Sequence, residues 1–238
     1  VDGTFTNTER RVQRLHKAVE PPGEARPDWA IVCDLAQRMG YPLRYDHPSQ
    51  IWDEMARNTP IVAGISYNRL EKGGIQWPCP THDHPGTPYL HKDTFATDKG
   101  YFQPVDHVPP AEPTDKEYPL VLTTGRRRAT YHTGTQTGRM EGIKLLVPHE
   151  WVEVNPSDAA RLGIADEELV EVVSRRGRVT VHARVTDRSP PGTVFMSFHF
   201  PRETPTNVLT VDAYDPITET AEFKACAVRI ERIGVARD

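Results

Sequence analysis

The chain has 238 residues, a net charge of -4, 37% hydrophobic residues and 22 prolines. That is enough for one large domain or two small ones, and the prolines point to a loop-rich protein rather than a helical bundle. A dedicated nucleic-acid binder would be strongly basic, and no apolar run approaches the roughly 20 residues that cross a bilayer, so neither class fits.

Thr4 to Gln13 is polar and reads as a loop that gives way to a short strand or helix. Prolines 21, 22 and 27 then break the chain. A helix is expected from about Asp28, with Ile31, Val32, Leu35, Ala36 and Met39 on one apolar face. Asp28 stands at the N-cap position and Gly40 just past the end. A shorter helix is expected from Ser49, burying Ile51, Trp52 and Met55. From Gly73 to Pro110, proline frequency excludes long regular elements. His82, His84 and His91 lie there without a well-spaced cysteine or carboxylate partner, and read as histidines of a wet loop rather than zinc ligands. Pro109–Pro119 reads as a polar linker, so the division is 1–108, a linker 109–118 and a domain 119–238.

The remaining residues read as β structure. Leu120–Thr123 and Trp151–Val154 are strands. Asn155-Pro156 caps a short helix that Gly163 closes. Leu169–Ser174 and Arg178–Val185 alternate around the turn Arg175-Arg176-Gly177. Thr193–Phe198 and Ala225–Ile233 complete the set. Many short strands around one small helix predict a closed barrel, and an α+β, mainly β chain overall.

The three cysteines, Cys33, Cys79 and Cys226, are far apart and odd in number. They form neither a disulfide framework nor a CxxC knuckle, and they suit a reducing, cytoplasmic setting. Cys226, in the alternating ACAVRI, reads as a packed core residue. No signal peptide opens the chain, and a start at Val-Asp-Gly without Met is expected of a fragment, a processed product or part of something longer.

The informative stretch is TGRRRATYHTGTQTGR, Thr124 to Arg139. A strand ending in Thr-Thr-Gly and running into Arg126, Arg127 and Arg128 gathers main-chain N–H groups, hydroxyls and guanidinium donors, the mixture that phosphates require. It is neither a Walker loop nor a GxGxxG turn. Composition alone favours a solvated hairpin tip. By the same reasoning Asp28 is a cap, Lys224 a solvated strand edge and Asn207 a turn residue. No Ser-His-Asp order, paired carboxylate or reactive CxxC stands out.

In combination the motifs are more specific. TTGRRRATYHTGTQTGR, VEVNPSDAARLGIADEELVEVVSRRGRVTVHARVTDRSPPGTVFMSFHF and TNVLTVDAYDPITETAEFKACAVRIERI resemble the C-terminal domain of molybdopterin-dependent formate dehydrogenases. GTFTNTERRVQRLHKAVEPPGEARPDWAIVCDLAQRMGYP and GIQWPCP resemble the segment before it. The resemblance implies a six-stranded double-psi β-barrel preceded by an α/β segment of a larger domain. It implies that the barrel binds one of two molybdopterin guanine dinucleotides that hold Mo or W. It assigns Thr124, Gly125, Arg126, Tyr131, His132 and Thr133 to a loop wrapping the cofactor. Asn207 and Lys224 become further ligands, Phe223 an aromatic ring against the pterin, Asp28 a guanine ligand and His199 a substrate-side residue. Arg127, Arg128 and Arg139 are left as surface charge.

The family's metal-binding Cys or selenocysteine, its neighbouring histidine, its substrate arginine and its iron–sulfur cysteines have no counterpart here. The resemblance therefore implies part of a large subunit, with no catalytic residue and no metal ligand in this chain, completed by the rest of that subunit and by iron–sulfur/flavin, NAD-reducing subunits. The holoenzyme would interconvert formate and CO2. A nitrate reductase or another molybdopterin oxidoreductase fits the NTERR start and the EFK end almost as well. A non-catalytic double-psi barrel that binds protein or nucleotide is a reading of another class.

Overall fold

In a computed structural model, which describes residues 1–234, the chain divides into two units, Val1–Pro104 and a second from Val105. No helix among the described residues is long and apolar enough to cross a membrane.

The first unit opens with a hairpin: the short strand expected after Thr4–Gln13 is present, and the loop expected before it is itself partly a strand. Strands β1 (Gly3–Thr6) and β2 (Arg11–Leu15) pair antiparallel, with Thr6 opposite Val12. The turn is built by Asn7, whose Oδ1 accepts from the N–H groups of Glu9 and Arg11 at 2.9 and 3.0 Å, and by Arg10 at φ 66°. A side-chain amide replacing main-chain partners is turn chemistry that polar composition alone reads as loop.

Helix α1 (Asp28–Arg38) is capped by Pro27, not by Asp28, which is the first helical residue and makes no side-chain cap. Its carboxylate instead faces the positive end of the helix dipole. Gly40, at φ 83°, closes the helix as expected. The apolar face of α1 is largely uncovered: Leu35 is 58% and Met39 78% exposed, and the buried residue is Cys33. Helix α2 (Pro48–Asn58) begins one residue before the expected Ser49, capped by His47, whose Nδ1 accepts from Ser49 N–H at 3.1 Å. Its inward residues are Trp52 and Ala56, one turn apart, and Met55 faces out. Trp52 Nε1 donates to the Ile65 carbonyl at 2.7 Å, and Val12, Val62, Ile65, Leu70, Ile75 and Cys79 complete that core. Helix α3 (Tyr67–Leu70) and the two-residue strand β3 (Ile75–Gln76), paired with β2, follow.

The second unit is a closed six-stranded barrel, matching the expectation in strand number and closure. Its members are β4 (Leu120–Gly125), β5 (Trp151–Val154), β6 (Leu169–Val173), β7 (Arg178–Val185), β8 (Thr193–Ser197) and β9 (Cys226–Arg232). The order round the barrel is β4-β8-β5-β7-β6-β9. β4 runs parallel to β8 and β5 parallel to β7, while the remaining pairs are antiparallel. Two helices lie between strands, α4 (Glu141–Leu146) and α5 (Pro156–Leu162). The expected start and stop of α5 are both present: Asn155 Oδ1 accepts from Ser157 N–H at 3.0 Å, and Gly163 sits at φ 69°.

Alternation places Leu122, Val152, Val170, Val172, Val181, Val194 and Met196 inside the barrel. Burying each such side chain stabilises the fold by about 1.5–3 kcal/mol. Cys226 belongs to the same core, and burial pushes its thiol pKa up, so it stays a neutral packed group.

The proline-rich segment 109–118 is strapped onto this unit by Glu112. That carboxylate accepts from Arg176 Nη1 and Nη2 at 2.8 and 2.7 Å, from Arg175 Nη1 at 2.8 Å and from Ala227 N–H at 2.9 Å. The Arg176 hydrogen bond above all holds the Glu112 pKa at about 2, against 4.5 for an ordinary glutamate. A carboxyl depressed in the folded state contributes stability that is present above pH 4.5 and lost as pH falls towards about 2. Glu112→Gln is expected to cost about 1–3 kcal/mol in urea unfolding at neutral pH. It should also flatten the acid limb of stability over that window, and an unchanged limb would remove the strap from the account.

Candidate functional site

Strand β4 ends in Thr-Thr-Gly and opens onto the loop that begins at Arg126. The three arginines then part. Arg126 is exposed, its guanidinium 6.0 Å from the Tyr131 ring. Arg127 turns inward. Its Nη2 donates to the Trp151 carbonyl at 2.8 Å, its Nη1 pairs with the Glu150 carboxylate, and its guanidinium lies 3.9 Å from the centre of the Trp151 ring. The Glu150 side chain is fully buried and also accepts from the Ser197 hydroxyl. Arg127 is thus a buried anchor and not surface charge. Sequence reasoning missed it because its partner, Glu150, stands 23 residues away with nothing local to mark it as buried. Arg128 and Arg139 are exposed.

Anchoring Arg127 presents its neighbours to a cleft of about 850 Å3 at the mouth of the barrel. Gly125, Arg126, His132, Thr133, Asn207, Phe223 and Lys224 line it, together with Phe198, Pro201, Pro205 and Thr206. Seven residues singled out from three separate segments therefore meet at one place.

Phe223, Lys224, Asn207 and His132 are held by identifiable contacts. Thr124 is buried, and its hydroxyl donates to the Phe223 carbonyl at 2.8 Å. Lys224 Nζ donates to the Thr124 carbonyl at 2.8 Å, which steadies the ammonium and leaves two of its three protons for a ligand. Phe198 meets Phe223 edge-on at 5.7 Å. The turn carrying Asn207 is fixed from both sides: the Thr206 hydroxyl donates to the Ser197 carbonyl at 2.7 Å, and Arg176 Nη2 donates to the Leu209 carbonyl at 2.9 Å. His132 adopts φ 48°, and its carbonyl accepts from buried His199 Nδ1 at 3.2 Å, so that ring nitrogen carries the hydrogen.

Thr124, Tyr131, His199 and Asp28 stand outside this lining. Thr124 braces the cleft from behind, and the Tyr131 ring lies 6.0 Å from the Arg126 guanidinium. His199 lines a second cavity of about 560 Å3 that shares Thr133 and Pro201 with the first. Gly134, at φ 74°, also lines it, and a side chain there would come within 2.7 Å of the His199 carbonyl. Asp28 belongs to the first unit, exposed at the start of α1. Phe198, Pro201, Pro205 and Thr206 are lining residues that the sequence does not single out, although each lies within two residues of His199 or Asn207.

Two cations, an amide, a glycine that exposes main chain and a pair of aromatic rings suit one ligand chemistry. That ligand is anionic at one part and flat and apolar at another.

Residues 120–227 match the family model described as molydopterin dinucleotide binding domain, and residues 1–38 match the model molybdopterin oxidoreductase, together more than half of the chain. The chain is 51% identical over 98% of its length to the F420-dependent formate dehydrogenase 2 subunit alpha of Methanococcus maripaludis, covering 35% of that protein. It is 38% identical over 96% of its length to the assimilatory nitrate reductase catalytic subunit of Bacillus subtilis, covering 34% of it. It thus spans about a third of the length of these relatives. Among solved structures, acetylene hydratase from Pelobacter acetylenicus superposes with a TM-score of 0.65 over 98% of this chain and 36% of that one, at 17% identity, a likeness of fold alone. The chain carries a molydopterin dinucleotide binding domain over residues 120–227 and matches the molybdopterin oxidoreductase model over residues 1–38.

Proposed function

We propose that this chain is the dinucleotide-binding part of the large subunit of a formate dehydrogenase that interconverts formate and CO2. The cleft would hold part of a bis-molybdopterin guanine dinucleotide carrying Mo or W. The observation that carries this reading is the convergence of Arg126, His132, Asn207, Phe223 and Lys224 on one cleft. The residues fit the group: Arg126 and Lys224 offer two positive charges to a diphosphate, Gly125 lets main chain approach, and Phe198 with Phe223 walls off a planar ring. Asp28 would accept from the exocyclic amine and N1–H of guanine, and His199 would stand on the substrate side. When bound, the cofactor supplies two-electron redox chemistry. The work of this chain is to bind and orient it and to exclude water.

The metal ligand, the substrate-binding arginine and the iron–sulfur cysteines would come from the rest of the large subunit. We assign the exposed face of α1, with Ile31, Val32, Leu35 and Met39, to contact with that remainder. The relative with 51% identity is named F420-dependent, so we place F420 ahead of the NAD expected from sequence as the acceptor on an iron–sulfur/flavin partner subunit. The cysteines are all free and buried, in keeping with a cytoplasmic setting.

Identity of 51% to a formate dehydrogenase against 38% to a nitrate reductase favours formate over nitrate. The intact complex is expected to reduce F420 with formate and to leave nitrate untouched when supplied with a reduced dye. Nitrate reduction without formate oxidation would overturn the choice, and formate-driven reduction of NAD but not F420 would overturn the acceptor.

A further inference from the structure

The register of the barrel brings three metal-binding side chains together on its outer surface; none of them lines the cleft, although His149 also lines the second cavity. In β7, Val181 and Ala183 point into the core, so His182 between them points out. His182 lies between both neighbouring strands, opposite Trp151 of β5 in one ladder and Leu169 of β6 in the other. His149 stands two residues before β5, and Glu167, at φ 61° in the turn before β6, stands two residues before that strand, so both strand entrances deliver a side chain beside His182. The Glu167 N–H continues the ladder to the Ala183 carbonyl at 2.8 Å. The His149 and His182 rings are 4.6 Å apart, and one potential ligand atom from each of the three side chains lies within 4.8 Å of the others.

We propose that His149, Glu167 and His182 bind a divalent transition ion of the zinc class. Two imidazoles and one carboxylate suit such borderline ions, and leave a fourth position for water. The hydrogen bonding already selects the ligand atom on His182. Its Nδ1 lies 3.1 Å from the Glu167 carbonyl, an acceptor only, so Nδ1 carries the hydrogen and Nε2 presents its lone pair. Histidine ligands are characteristically oriented by a backbone carbonyl in this way. Tetrahedral coordination at about 2.0–2.1 Å sets ligand atoms roughly 3.3 Å apart, a closure that side-chain torsions of the exposed His149 and Glu167 supply around the half-buried His182. Glu167 also accepts from Arg184 at 3.3 Å, an exposed and hence weak pair that gives way to the ion. The site would pin the end of the loop running from Arg126 to His149 to the β6–β7 hairpin. It needs no bound pterin, so it stands or falls separately from the cleft.

The test is calorimetric titration of Zn2+ into the metal-stripped full chain, with Co2+ absorption as a second probe. One site is expected, with the visible bands of four-coordinate Co2+ and a raised melting temperature. The H149A/H182A double variant should lose at least about 30-fold in affinity and Glu167→Gln about 10-fold, while H84A/H91A is unchanged. Melting of the metal-free variants at the wild-type temperature shows that each still folds. Equal stoichiometry and affinity in wild type and H149A/H182A would overturn the site, as would wild-type binding no stronger than that of the double variant. Loss confined to the histidine variants, with Glu167→Gln unaffected, would overturn the three-ligand assignment.

Discussion

Arg126→Ala is expected to strip pterin and metal together from the holoenzyme while leaving the fold intact. Arg126 is exposed, and its one ring contact, to Tyr131 at 6.0 Å, is long, so its removal should not shift the melting temperature measurably. Its proposed work is a charge-assisted hydrogen bond to the cofactor, worth about 1.5–3 kcal/mol, or roughly 10- to 150-fold in affinity. Metal content by mass spectrometry and fluorescence of the oxidised pterin should fall in parallel, and formate oxidation with them. Arg126→Lys keeps the charge but loses the planar fork, and should fall between the two. Full metal and pterin occupancy in Arg126→Ala would show that another group holds the cofactor.

Arg127→Ala is expected to do the opposite first: it should damage the fold. Glu150 is buried, and removing its partner leaves an uncompensated charge in the interior, a loss of about 3–5 kcal/mol. Urea unfolding of the cofactor-free chain reads this directly. The double variant Arg127→Met with Glu150→Gln should recover most of the loss, because the penalty lies in the stranded charge and not in the missing pair. Cofactor occupancy would fall as well in Arg127→Ala, since Arg127 anchors the loop that presents Arg126. The two neighbouring arginines are thus separated by which quantity moves. Arg126 changes occupancy without stability, and Arg127 changes both. A neutral Arg127→Ala in urea would mean that the loop is anchored elsewhere.

Much of the barrel was legible because its signals are local. The alternation in Arg178–Val185, the cap at Asn155 and the left-handed Gly163 each declare themselves within a few residues. The first unit was read less well. The β1–β2 turn depends on the Asn7 side chain, and α1 carries an apolar stripe that is left exposed among the described residues, so periodicity predicted burial where there is exposure. The cleft was legible through the family resemblance and not through composition, which favoured a solvated tip. Barrel closure joins residues 125, 207 and 224, and no spacing rule predicts that meeting. The same holds for Glu150 beneath Arg127 and for His149, Glu167 and His182. Each set is assembled by strand register, which is a property of the whole barrel.

The central claim is that the cleft beside β4 holds a pterin dinucleotide in a redox enzyme, and not a protein or plain nucleotide ligand. Elemental and pterin analysis of the native complex containing this chain tests it most directly. The account predicts molybdenum or tungsten together with the fluorescence of oxidised pterin. Absence of both metals and of pterin from the native complex would contradict it.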